Sequence, residues 1–166
     1  MSDQNEADRL FDLLNSEEVP RAVLVSGFSD FSNEAKNEVA ARIAREFASD
    51  PRGRLLGRLL MIQTEENKAD LAKAFIANLR SSRPQARQAS LYGLAKLDHE
   101  SLTDFALLSL RDDTDQVLAT ACDILLPKAK DDPGLRQILK DVYLSHKDNP
   151  DFHMTTTRLE AGGISD

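Results

Sequence analysis

A repeat of 31 to 33 residues is the feature of this sequence that most constrains its fold. Residues 101–129, moved back by 31 positions, fall on residues 70–98, so that Leu110 lies on Leu79 and other apolar positions coincide. Further shifts of 32 or 33 residues carry the same pattern back toward the N-terminus. A repeat of this length predicts small structural units that bury their apolar faces only by stacking on one another.

Each copy of the repeat predicts two helices joined by a short polar turn. In the third copy, apolar residues follow a helical spacing over 68–80, which places them on one face of the helix. The polar residues that follow end this helix, and Pro84 then suits the first turn of a second helix over 84–97. Small residues in the second helix, Gly93 among them, would allow a neighbouring helix to approach closely.

The fourth copy repeats this arrangement and leads into a final helix. Either Thr114 or Asp115 can cap the helix that follows the turn over 112–115. We expect Pro127 to end that helix early or to kink it. A ninth helix then begins near Pro133, and its apolar stripe consists of Leu135, Ile138, Leu139 and Val142.

Together these patterns predict an all-α fold, an α-α superhelix with about nine helices in four helical hairpins plus a C-terminal capping helix. The predicted repeat domain covers residues 1–147. Residues 148–166 contain three consecutive threonines and a Gly-Gly pair but little apolar periodicity. We therefore expect this last segment to be a disordered tail.

The second helix of the third copy carries a recognisable motif. Pro84 is followed by Ala86-Arg87, then by small residues, and then by Gly93-Leu94 and Leu97. This order resembles the second helix of a HEAT repeat, and the resemblance covers residues 32–129, extending more weakly over 5–31. It implies a HEAT-like solenoid. Members of that family are mostly scaffolds and adaptors, with minorities that bind nucleic acid or modify bound cofactors.

Charge is distributed unevenly along the chain, whose net charge is −7. Residues 1–35 hold 2 basic and 8 acidic residues, residues 36–96 hold 12 and 6, and residues 97–166 hold 7 and 14. The basic middle either marks an anionic partner or is neutralised by its acidic neighbours in the stack. The N-terminus lacks an apolar signal core, and no stretch approaches the roughly 20 apolar residues that span a bilayer. We therefore expect a cytoplasmic protein.

The fourth predicted helix, over 51–64, is apolar nearly all round, which is typical of a helix that is either buried or a contact surface. Leu55 and Leu59 align with Gln88 and Tyr92, which should face outward. The four residues either form an apolar patch on the concave face, or the two leucines are core residues under neighbouring helices. The residues that we predict to bind a partner are Arg52, Leu55, Arg58, Leu59, Gln88 and Tyr92.

Chemistry other than binding receives little support from the sequence. The single cysteine, Cys122, excludes an intrachain disulfide and matches a buried repeat position. The aspartates around 112–115 lack the spacing of a calcium loop, and the histidines pair with no nucleophile. We predict that the protein is not an enzyme and that it holds no cofactor and no metal. We expect its partner to be a protein or a peptide. Nucleic-acid binding through the basic repeats is the alternative, and self-association is a third possibility.

Overall fold

The computed structural model describes residues 5–26, 28–46 and 54–166, with side chains in the last range from residue 55 onward. Every regular element in this part of the chain is a helix, as the sequence predicts. The chain divides into two compact units, Met1–Leu97 and Asp98–Asp166. The boundary between the two units lies within residues 1–147, the predicted repeat domain.

Among the residues that the structure describes, the first unit contains six α-helices. The predicted hairpin of the third copy corresponds to Lys68–Asn78 packed against Pro84–Lys96. In the second copy, the two predicted helices correspond in order to Asn33–Glu46 and Arg54–Leu59. A 3-10 turn, Leu60–Ile62, extends α4. The six helices are α1 (Glu6–Asn15), α2 (Arg21–Ser26), α3 (Asn33–Glu46), α4 (Arg54–Leu59), α5 (Lys68–Asn78) and α6 (Pro84–Lys96).

Contacts in the first unit link helices that are not neighbours along the chain. Helix α3 packs against both α1 and α5, while α4 packs against both α1 and α6. Asn67, which is 1% exposed, orders the connection from α4 to α5. Its Nδ2 donates to the Ile62 carbonyl at 2.8 Å, and its Oδ1 accepts from the Thr64 amide at 2.9 Å. The large side chains buried in this unit include Leu10, Leu14, Phe28, Ile43, Leu56, Leu59, Leu71, Phe75, Leu91 and Leu94.

The second unit is arranged around one long helix. Helices α7 (Leu102–Ser109), α9 (Pro133–His146) and α10 (His153–Ala161) all pack against α8 (Asp115–Ala129). The predicted start of α9 is confirmed, since the Asp132 carboxylate caps it by accepting from the Leu135 amide at 3.0 Å. The core contains Ala106, Cys122, Leu125, Ala129, Leu135, Leu139, Tyr143, Leu159 and Ile164.

Two expectations about the end of the chain are wrong. Residues 148–166 are not a disordered tail, because they form a 3-10 turn and α10, and Leu159 and Ile164 are 0% and 2% exposed. The final count is ten α-helices among the described residues rather than nine, and α9 pairs with α10 instead of ending the fold as a cap. Buried threonines that bond to neighbouring polar groups hide this helix from a search for apolar periodicity.

Pro127 does not end α8, which runs on to Ala129. The proline lies in the last turn, where its missing N–H removes one hydrogen bond, to the Asp123 carbonyl, and leaves the preceding turns intact. By contrast, the predicted start of α6 is confirmed, with Arg83 at the cap position and Pro84 in the first turn.

Candidate functional site

Leu55 and Leu59, two of the predicted contact residues, lie in the core. They are 4% and 0% exposed, because both α1 and α6 pack against α4. The prediction of an exposed apolar patch on α4 is therefore wrong, and the alternative of core residues under neighbouring helices is correct.

Arg58 has a structural contact rather than a free position on the surface. Its Nη1 donates to the carbonyl oxygens of Leu14 and Ser16, both at 2.7 Å. These carbonyls lie at the C-terminal end of α1, where backbone acceptors lack helical partners and a cation is favourable. Arg58 therefore ties α4 to the end of α1. Arg52, the other arginine predicted to contact a partner, lies outside the described residues.

Two predicted residues remain at the surface of α6. Tyr92 is 53% exposed, and the Lys96 ammonium lies 5.3 Å from the centre of its ring. Gln88, one turn earlier on the same helix, is half-buried. The predicted contact surface is thus present on α6 as a small polar and aromatic surface. Its predicted apolar extension on α4 is buried.

The remaining sequence candidates have structural roles. Nη1 of Arg87 donates to the Ser81 carbonyl at 2.9 Å, within the turn before its own helix. Asp112 accepts from the Thr114 amide at 3.0 Å and from its hydroxyl, the turn chemistry expected of this segment. In the described part of the chain, no three His, Cys, Asp or Glu side chains are grouped so that they could hold a metal ion.

A groove with a largely apolar lining lies in the second unit. It lies between α7 and α9, which both pack on α8, and its volume is about 460 Å³. That volume is within the range of roughly 300–1,000 Å³ that is common for ligand sites. The groove is lined by Leu107, Leu110, Arg111, Ile138, Asp141, Val142, Ser145 and His146.

Helical spacing explains how one face of each helix reaches the groove. On α9, Asp141 and Val142 follow Ile138 by three and four residues, so the three side chains share a face. On the other side, Leu107 is followed at the same spacing by Leu110 and Arg111, just beyond the end of α7. Ile138 is 42% exposed, so the apolar floor is open to solvent.

Polar groups border this floor at the end where α9 terminates. Asp141 accepts a hydrogen bond from the Gln137 amide nitrogen at 2.9 Å and stays exposed. The His146 ring lies 4.3 Å from that of Phe152, and its Nδ1 is 2.8 Å from the Val142 carbonyl oxygen. These contacts hold the imidazole in place at the edge of the groove. The arrangement offers apolar contact with polar groups at its margin.

Two residues that line the groove, Ile138 and Val142, belong to the predicted apolar stripe of α9. On α7 and α9, however, apolar residues extend beyond one stripe, and Leu108 and Leu144 are 64% and 42% exposed. Leu108 and Leu144 are not among the residues that line the groove, so they mark further exposed apolar surface on the two helices.

Comparisons with known proteins supply no relative. No protein-family model matches the chain, and no curated protein and no solved structure matches it significantly. Among the described residues, no helix is both long and apolar enough to cross a membrane.

Proposed function

We propose that this chain is a small helical-repeat adaptor, which binds a segment of a partner protein in the groove between α7 and α9. The observation that carries this proposal is the groove itself, an aliphatic floor open to solvent on the surface of a folded unit. Apolar surface that stays exposed in a folded protein commonly marks an interaction site.

We further propose that the helices within each unit stack in a HEAT-like manner. This is supported by contacts between alternate helices along the chain. In the first unit, α1, α3 and α5 touch in succession and α4 touches α6, while in the second unit α8 touches α10. An adaptor of this kind needs no cofactor and no catalytic residue, and a cytoplasmic location remains part of the prediction.

The decisive experiment is a pull-down from a lysate of the source cell at about 150 mM salt, near physiological ionic strength. The chain itself offers a matched pair of variants. Ile138 and Leu144 lie on the same helix and are both 42% exposed, but only Ile138 lines the groove. We expect a stoichiometric protein partner that Ile138→Asp loses and that Leu144→Asp retains.

Other results of the same experiment identify the alternatives. A partner that survives Ile138→Asp and is lost with Tyr92→Ala would move the site to α6. Recovery of nucleic acid alone, released by a modest increase in salt, would reject the adaptor and favour the basic residues of 36–96. If the tagged chain recovers only untagged copies of itself, the protein self-associates. Sedimentation can then measure its oligomeric state.

A further inference from the structure

We infer that the partner segment is a short basic amphipathic helix, an inference that rests on the proposed binding function of the α7–α9 groove. The first argument is the kind of surface on offer. A groove between two helices fits an amphipathic helix, whereas an extended peptide is normally bound at the open edge of a sheet. No strand is present in the ranges 5–26, 28–46 and 54–166, so that second mode has no template there.

The dimensions of the groove set the length of the contact. The lining residues on α9 run from Ile138 to His146, which at about 1.5 Å per residue is roughly 12 Å, or two helical turns. A partner helix would therefore present aliphatic side chains at positions i, i+3 or i+4, and i+7. The floor that receives them is aliphatic, and consists of Leu107, Leu110, Ile138 and Val142.

The charge around the groove indicates which residues should flank the aliphatic stripe of the partner helix. Residues 97–166 hold 14 acidic and 7 basic residues, a net charge of −7. Asp141 lines the groove, and Asp104 lies three residues before Leu107 on the same face of α7, where it is exposed. In the described lining, Asp141 is the single acidic residue and Arg111 the single lysine or arginine, so the excess negative charge lies in the residues around the groove. Lysine or arginine beside the aliphatic stripe of the partner would complement these acidic surroundings.

The test uses two synthetic peptides of about 14 residues, stapled because free helices of this length are marginal. They share one leucine stripe and differ only in carrying Lys or Glu beside it. In fluorescence anisotropy with the full chain, we expect the Lys peptide to bind about tenfold more tightly, a difference of about 1.4 kcal/mol. The preference should shrink as salt rises.

Variants of the chain then assign the binding to the groove. Ile138→Asp should weaken the Lys peptide about tenfold or more, while Leu144→Asp should leave it unchanged. The double variant Asp104→Lys with Asp141→Lys should reverse the preference toward the Glu peptide. Equal binding of the two peptides, or a preference that the double variant leaves unaltered, would overturn the inference.

Failure of the inference and failure of the adaptor proposal look different. If the lysate yields a protein that depends on Ile138 but whose bound segment is acidic or extended, the groove is correct and the assigned partner class is wrong. If neither a lysate protein nor either peptide responds to Ile138→Asp, the groove is not a binding site and both proposals fall.

Discussion

The carboxylate of Asp115 accepts two hydrogen bonds from Thr155, one from its backbone N–H at 2.8 Å and one from its hydroxyl at 2.6 Å. The same carboxylate also accepts from the Met154 amide at 2.9 Å. Because Asp115 begins α8 and the other two residues lie in the first turn of α10, one side chain caps a helix 40 residues away in the sequence. The start of α8 thereby fixes the start of α10.

Replacing Asp115 with Ala should destabilise the second unit. The change leaves two helix N-terminal amides without their acceptor, and it leaves the buried Thr155 hydroxyl with only the backbone carbonyl of residue 115, at 3.2 Å. We therefore expect the free energy of unfolding to fall by about 1–3 kcal/mol. Urea denaturation followed by circular dichroism measures the loss, and hydrogen exchange should show faster exchange in α10. The exposed Asp131 supplies the control, since Asp131→Ala should change stability little. Equal losses in the two variants would contradict the capping role.

Gly93 on α6 allows the ring of Phe75 to pack directly on the helix backbone. A Cβ atom at position 93 would lie 2.3 Å from Cζ of that ring, which is 1% exposed and has little room to move. We expect Gly93→Ala to lower the free energy of unfolding by about 1–3 kcal/mol.

Gly57 on α4 is the matched control for this substitution, since a Cβ there would meet nothing within 4 Å. Gly57→Ala should be neutral or stabilise by about 0.5–1 kcal/mol, because alanine favours the helix. Thermal and urea unfolding of the two variants should therefore shift in opposite directions or by clearly different amounts. A stable Gly93→Ala protein would show that the ring can move away.

Leu59 should behave as a core residue in a mutational test. Its side chain is 0% exposed, so Leu59→Ala removes buried methyl groups and leaves a cavity, with an expected loss of about 2–5 kcal/mol. Leu108, which is 64% exposed, should tolerate the same change to within about 0.5 kcal/mol. Urea denaturation midpoints of the two variants measure the difference. If Leu59→Ala hardly changes the free energy of unfolding, Leu59 is not a core residue.

Local sequence signals predicted the helices well where apolar periodicity and turn chemistry agreed. The start of α6 at Pro84 and the start of α9 after Asp132 follow from rules about individual residues. Helix α10 could not be found in this way, because its capping group is Asp115 and its buried face includes Thr155 and Thr156. A cap supplied by a distant residue leaves no local signature.

The site was harder to predict than the fold because exposure depends on what packs on each helix. Leu59 and Tyr92 occupy aligned positions of the repeat, yet the first is buried and the second is 53% exposed. The difference arises because α1 packs on α4, and Arg58 ties the two helices together. Repeat alignment assigns equivalent positions but does not reveal which copies are covered.

The thiol of Cys122 should be unreactive in the folded protein. Its contribution to the free energy of unfolding should fall at high pH. Burial, with a smaller contribution from the nearby Asp123 charge, raises the pKa of its thiol to about 12. An unfolded cysteine has a pKa of about 8.5, so the stability contributed by the neutral thiol is complete below about pH 8.5. It is lost progressively as pH rises from there toward about 12, because the unfolded state then ionises first.

Two measurements check this. The reaction of a thiol reagent with the native protein at about pH 8 should be slow and should accelerate with urea in parallel with unfolding. In Cys122→Ala, the free energy of unfolding should decline less between about pH 8 and pH 10 than in the unaltered chain. Rapid modification of the native protein without urea would show that the thiol is accessible, and the packing of α8 in the core of the second unit would have to be revised.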